Sequence, residues 1–123
     1  MQWEFYGDRP IYLQIMENLR IAVAARQFTA GQRLPSVREL AAEAGVNPNT
    51  MQKALTELER EGLVYSQRTS GRFITEDVEM VEAIQEKLAQ QQIQQFFESM
   101  SRIGFDVRQT VEAVQKAGEE QTQ

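Results

Sequence analysis

GVNPNTMQKALTELEREG, residues 45–62, sets a glycine and a polar, proline-containing cluster directly before a run of strong helical periodicity. Met51, Ala54, Leu55 and Leu58 follow the i, i+3, i+4, i+7 spacing of a helix that buries one face. Asn47 is a good N-cap, and Pro48 falls at the first helical position, where a missing N–H costs nothing. Asn49, Gln52, Lys53 and Thr56 form the opposite, polar stripe. Gly62 supplies a C-cap. The result is a helix whose leading end carries small polar groups and no hydrophobe, and so stays reachable.

Upstream, Ser36-Val37-Arg38-Glu39 has the capping-box pattern and opens a short helix that Gly45 ends. Val37, Leu40 and Ala41 face inward and Arg38 outward. Residues 29–35 (TAGQRLP) read as a loop. Before it, Pro10 to Arg26 is predicted as the first helix, with Ile11, Ile15, Leu19 and Ala22 or Val23 on its buried face. Downstream, Leu63 to Gln67 and Arg72 to Thr75 read as two strands around a turn at Arg68–Gly71. A long helix from Asp77 to Ile103 follows, interrupted by Gly104. Asp106 caps a last helix with Val107, Val111 and Val114 on one stripe, and the tail AGEEQTQ is expected to fray.

The expected fold is therefore mainly α with a small β-hairpin: a winged helix-turn-helix over 1–75, then a two-helix dimerisation tail over 76–123. In such a pair the second helix enters the major groove and reads base edges with its N-terminal residues. Asn and Gln side chains can pair with adenine and Arg with guanine, and N-terminal helix amides attract phosphate. Arg38 projects from the preceding helix, Lys53 is a phosphate or base contact, and the wing brings Arg68 and Arg72 to the backbone or minor groove. Arg33, in the loop, reads equally as a solvated cation or a contact.

Composition bounds the alternatives. With 123 residues, 41% hydrophobic and 25% charged, the chain can bury a modest core. It has no cysteine and no histidine, which removes disulfides, thiolate chemistry and His-based catalysis. No nucleophile–base pair and no Gly-rich phosphate loop is present, so no enzyme activity and no cofactor or metal is expected. The N-terminus lacks a signal-peptide pattern and no run reaches membrane-span length, so a cytoplasmic protein without a membrane partner is expected. The net charge of −5 is uneven: residues 1–75 carry nine Lys/Arg against eight Asp/Glu, and residues 76–123 four against ten. The acidity belongs to the tail, and a locally basic face can still meet DNA.

The segments DRPIYLQIMENLRIAV, GQRLPSVRELAAEAGVNPNTMQKALTELEREGLV and YSQRTSGRFI resemble the DNA-binding domain of GntR-family bacterial transcription regulators over roughly residues 8–75. The short two-helix tail resembles the YtrA-like subgroup. That resemblance implies a homodimer paired through the C-terminal helices on an inverted-repeat operator. It implies a repressor in most cases, controlling a neighbouring transporter operon and its own gene. By position, the family's DNA contacts fall on Arg38, on Asn47, Pro48, Asn49, Thr50 and Gln52, and on the wing around Arg68, Ser70, Gly71 and Arg72; Ser36 and Lys53 complete the expected DNA-binding set. Some family members carry Arg where Pro48 and Gln52 stand, so base preference need not transfer. Val81, Ile84, Leu88, Phe96, Phe97, Met100, Val107 and Val111 are the expected dimer interface, because so small a tail cannot bury its apolar faces alone. The aromatic part of that stripe reads otherwise as a ligand pocket. The tail is too short for a recognisable effector domain, so the sequence names no effector. A winged-helix protein-interaction module is the competing reading, disfavoured by the polar and basic face.

Overall fold

The computed structural model describes residues 1–122. Five helices and one hairpin follow in the order α1 (Ile11–Ala24), α2 (Val37–Ala44), α3 (Pro48–Arg60), β1 (Val64–Gln67), β2 (Gly71–Ile74), α4 (Val78–Arg102) and α5 (Val107–Gln121). The chain divides into two units, Met1–Gln85 and Glu86–Gln123.

In the first unit α3 is the central element, packing against α1, α2 and β1. Met51, Ala54, Leu55 and Leu58 are each no more than 1% exposed, so the whole apolar stripe is spent on the core. Ile15, Leu19 and Val23 meet it from α1, Leu40 and Ala41 from α2, and Leu63, Val64 and Ile74 from the wing. Burying a leucine or isoleucine side chain contributes about 1.5–3 kcal/mol, so these residues dominate the unit's stability.

Local chemistry sets the turns. Gly45 is left-handed at φ 71°, and its N–H and that of Val46 satisfy the carbonyls of Ala42 and Ala41 at the end of α2. The chain is then free to restart at Asn47, whose side chain accepts the Asn49 N–H at 2.8 Å. Ser36 caps α2 by accepting the Glu39 N–H at 3.2 Å.

Three expectations shift. Helix α1 starts at Ile11 with Pro10 as its N-cap, and Ile11 is 39% exposed instead of buried. The first unit extends to Gln85, because Val81 of α4 is 4% exposed within its core and Met80 and Ile84 pack against that core. Helix α5 continues to Gln121 through the segment expected to fray. Its Ala, Glu and Gln residues are good helix formers, offsetting Gly118.

The segment before α1 is clipped to the helix by Gln14, which is 1% exposed. Its amide accepts the Tyr6 N–H at 2.6 Å and donates to the carbonyls of Tyr6 and Arg9 at 2.7 and 2.8 Å. The clip holds Trp3 and Phe5, stacked at 6.2 Å, partly buried against the core. In the second unit Asp106 and Gln109 form a complete capping box for α5, and Thr110 is buried, its hydroxyl donating to the Asp106 carbonyl.

Replacing Gln14 with Leu leaves the Tyr6 and Arg9 backbone groups without that partner. Gln14→Leu should lower unfolding stability by about 1–3 kcal/mol in denaturant titration. Unchanged stability would mean that the clip contributes nothing.

Candidate nucleic-acid interface

Because the apolar stripe of α3 is buried, geometry forces Asn49, Gln52, Lys53 and Thr56 outward, and all four are exposed. Asn47 and Pro48 are exposed beside them, and Thr50 is half-buried. The tip is not uniform in what it can offer. The Asn47 side-chain oxygen is committed to its own helix, leaving only its NH₂ donors, and Pro48 offers no backbone donor. Among the asparagines here, only Asn49 keeps both halves of its amide uncommitted, as bidentate pairing with adenine requires. Gln52 donates weakly to the Thr56 hydroxyl at 3.3 Å.

Lys53 is held from a different element. Its Nζ lies 3.9 Å from the centroid of the Tyr12 ring on α1. Such a contact is worth about 0.5–1 kcal/mol at an exposed site, enough to favour one orientation of a long, mobile side chain without neutralising it. The Lys and Tyr residue types were visible in the sequence, but a pairing between helices 41 positions apart was not.

From α2, Arg38 is exposed, and Ser36 combines its capping role with a free hydroxyl proton. In the wing, Arg68 and Ser70 are exposed at the turn, closed by the Ser70 N–H on the Gln67 carbonyl at 3.0 Å. Gly71 has φ 102°, a conformation that residues with a Cβ rarely adopt.

Arg72 departs from the expectation of a free wing cation. Its Nε donates to Glu59 of α3 at 3.3 Å, its side chain is only 20% exposed, and Ser66 donates to the same carboxylate. The physical reason is the pleat: Arg72 pairs with Ser66 on the face that also carries buried Val64 and Ile74, so its side chain turns toward α3. Charge pairing sorts the remaining cations of the first unit. Arg9, Arg20 and Arg60 also sit within 4.0 Å of carboxylates. Among the described residues Arg26, Arg33, Arg38, Lys53 and Arg68 have no such partner.

Of the residues expected at a dimer interface, Val81 and Ile84 belong to the first unit's core, as above. Leu88, Phe97 and Met100 are half-buried within the single chain, while Phe96, Val107 and Val111 are 43%, 65% and 41% exposed. No group of three or more acidic residues in metal-binding geometry occurs among the described residues. Among the described residues no helix is long and apolar enough to cross a membrane.

A tri-helical core, a polar-tipped third helix and a two-stranded wing thus stand together, and the profile of "Bacterial regulatory proteins, gntR family" matches residues 11–74. The chain belongs to the GntR family. It is similar to the HTH-type transcriptional regulator YhcF of Bacillus subtilis, 35% identical over 93% of this chain and 94% of that protein. It is also similar to the HTH-type transcriptional repressor YtrA of Bacillus subtilis, 42% identical over 58% of this chain and 55% of that protein. A GntR family transcriptional regulator from Listeria monocytogenes superposes with TM-score 0.81 at 35% identity, covering 91% of this chain and 98% of that one. The matched proteins are regulators, and this GntR-family chain is a DNA-binding transcriptional regulator, not an enzyme.

In the free protein, NMR should show the Lys53 side-chain methylene protons shifted upfield by the Tyr12 ring. Tyr12→Leu should remove the shift. Methylene resonances unchanged by that substitution would contradict the stacking.

Proposed function

We propose that this protein is a sequence-specific repressor that binds an inverted-repeat operator as a homodimer in the cytoplasm. The observation that carries this reading is the sorting of charge. The cations on α2, on the outer stripe of α3 and at the wing turn are exposed and unpaired, whereas Arg9, Arg20, Arg60 and Arg72 are tied to carboxylates; Arg26, beyond the end of α1, and Arg33 are the other unpaired cations of the first unit. An unpaired guanidinium can meet a phosphate or guanine without first breaking an ion pair. In this reading α3 lies in the major groove, with Asn49 and Gln52 at base edges, Arg38 entering from α2 and Lys53 and Thr50 beside them. The amides at the start of α3, around Asn47 and Pro48, face a phosphate. Ser36 contacts the backbone, and the wing turn at Arg68, Ser70 and Gly71 follows the adjacent backbone.

The homodimer is supported by apolar area that the second unit leaves uncovered. Ile93 and Phe96 on α4 and Val107 and Val111 on α5 are each more than 40% exposed. A second copy of the same helices covers such a surface and produces the twofold symmetry of an inverted repeat. Leu88, Phe97 and Met100, half-buried already, line the same stripe. Repression, and control of a neighbouring transporter operon together with its own gene, follow from the resemblance to the YtrA-like subgroup. The full-length similarity to YhcF supports the short architecture.

Arg38→Ala should weaken operator binding by about 1–3 kcal/mol in fluorescence anisotropy if Arg38 reads a guanine; wild-type affinity would refute that assignment. Phe96→Glu should convert the dimer to monomer in sedimentation velocity, and a dimer that survives the buried charge would sink the interface.

A further inference from the structure

The wing has a third row. Arg33 forms an antiparallel bridge with Phe73, and the backbone continues the pairing on both sides. The Leu34 N–H donates to the Arg72 carbonyl at 2.8 Å, the Ile74 N–H to the Gln32 carbonyl at 2.9 Å, and the Gly31 N–H to the Ile74 carbonyl at 2.9 Å. Residues directly opposed across a ladder share a face. Arg33 therefore stands on the outward face with Phe73 and its cross-strand partner Tyr65, whose rings stack at 5.6 Å. Arg72, one residue on, faces the other way and is tied to Glu59.

The Arg33 side chain reaches along that outward face to the turn. A Cβ placed on Gly71 would meet its Nε at 3.2 Å and Nη2 at 3.5 Å, so the guanidinium lies over the bare backbone of the wing glycine. The residue is exposed and has no carboxylate within 4.0 Å among the described residues. Its donors are thus free at the turn that also carries Arg68, and a contact to phosphate there breaks no existing ion pair. For Arg72 the same contact would take its guanidinium from the partly buried Glu59 carboxylate, leaving that charge with only the Ser66 hydroxyl.

We propose that Arg33, outside the helix-turn-helix, is the wing's second phosphate-binding residue with Arg68, and that Arg72 is an internal brace holding the wing to α3. This deepens the DNA-binding reading and rests on it. Gly71 belongs to the same device: its φ of 102° is one that residues with a Cβ rarely adopt, and a Cβ there would crowd the guanidinium at the turn.

The test is the salt dependence of binding of the full chain to a genomic duplex fragment that it selects, alongside a random duplex. Arg33→Ala should weaken binding to both fragments by a similar factor and reduce the slope of log K against log salt by about one. Its melting temperature should hold, because the ladder of row 31–34 is made of backbone. Arg33→Lys should restore the slope. Arg72→Ala should leave the slope unchanged and lower the melting temperature. A wild-type slope in Arg33→Ala, or the loss of one unit in Arg72→Ala, overturns the proposal. If Arg38→Ala loses the selected fragment while Arg33→Ala binds as wild type, only this inference fails. If the unaltered protein shows no salt-dependent duplex binding, the DNA-binding reading fails and takes this one with it.

Discussion

The first unit depends on the burial of one stripe of α3. Met51, Ala54, Leu55 and Leu58 sit where α1, α2 and the wing meet, each almost wholly removed from solvent. A helix fixed so firmly by one side has no choice about the other. The 3.6-residue period turns Asn49, Gln52, Lys53 and Thr56 outward, and the Asn47–Pro48 start leaves nothing bulky at the leading end. The buried core stripe and the exposed polar stripe are therefore built from the same thirteen residues, split by face. A truncation at Leu55 would cost about 2–5 kcal/mol and also release the helix that presents the polar stripe.

Electrostatics does the second part of the sorting. The chain is acidic overall, and even the first unit is not strongly basic, so bulk charge gives little guidance about DNA. Local pairing gives more. Glu59, Glu61, Glu57 and Glu17 each hold an arginine that lies outside the proposed interface or serves as its brace. Apart from Arg26 past the end of α1, the unpaired cations of the first unit lie on α2, α3, the wing turn and the row beside it. Exposed ion pairs contribute only 0 to about 1 kcal/mol to stability. Their more telling effect here is that they leave a small set of cations unneutralised.

Much of this was legible in the residues, and the parts that were not have definite causes. The helix boundaries of α2 and α3 and the cap of α5 followed from Ser36, Gly45, Asn47, Pro48 and Asp106, whose chemistry acts within four residues. The buried stripe of α3 followed from periodicity alone. That Arg72 turns toward Glu59 depends on hairpin register, which a four-residue strand with a serine opposite does not announce. Arg33 could not be weighed for the same reason: its strand-like row pairs with β2 across a separation of about 40 residues. Val81 and Ile84 shared the apolar spacing of the rest of α4. Only the packing of that helix's first turns against the core separates them from the stripe beyond. The Tyr12–Lys53 contact and the Gln14 clip are likewise matters of which helix faces which.

In the proposed complex the leading end of α3 reads bases from the major groove, in two copies related by a twofold axis. The most direct measurement is selection of genomic fragments by the purified full chain, followed by hydroxyl-radical footprinting and methylation interference at moderate salt. The expected result is an inverted repeat with half-sites about one helical turn apart, and interference by methylation at major-groove guanine N7 within each half. Protection without a repeat, interference confined to the minor groove, or no enriched fragment even at low salt would contradict it.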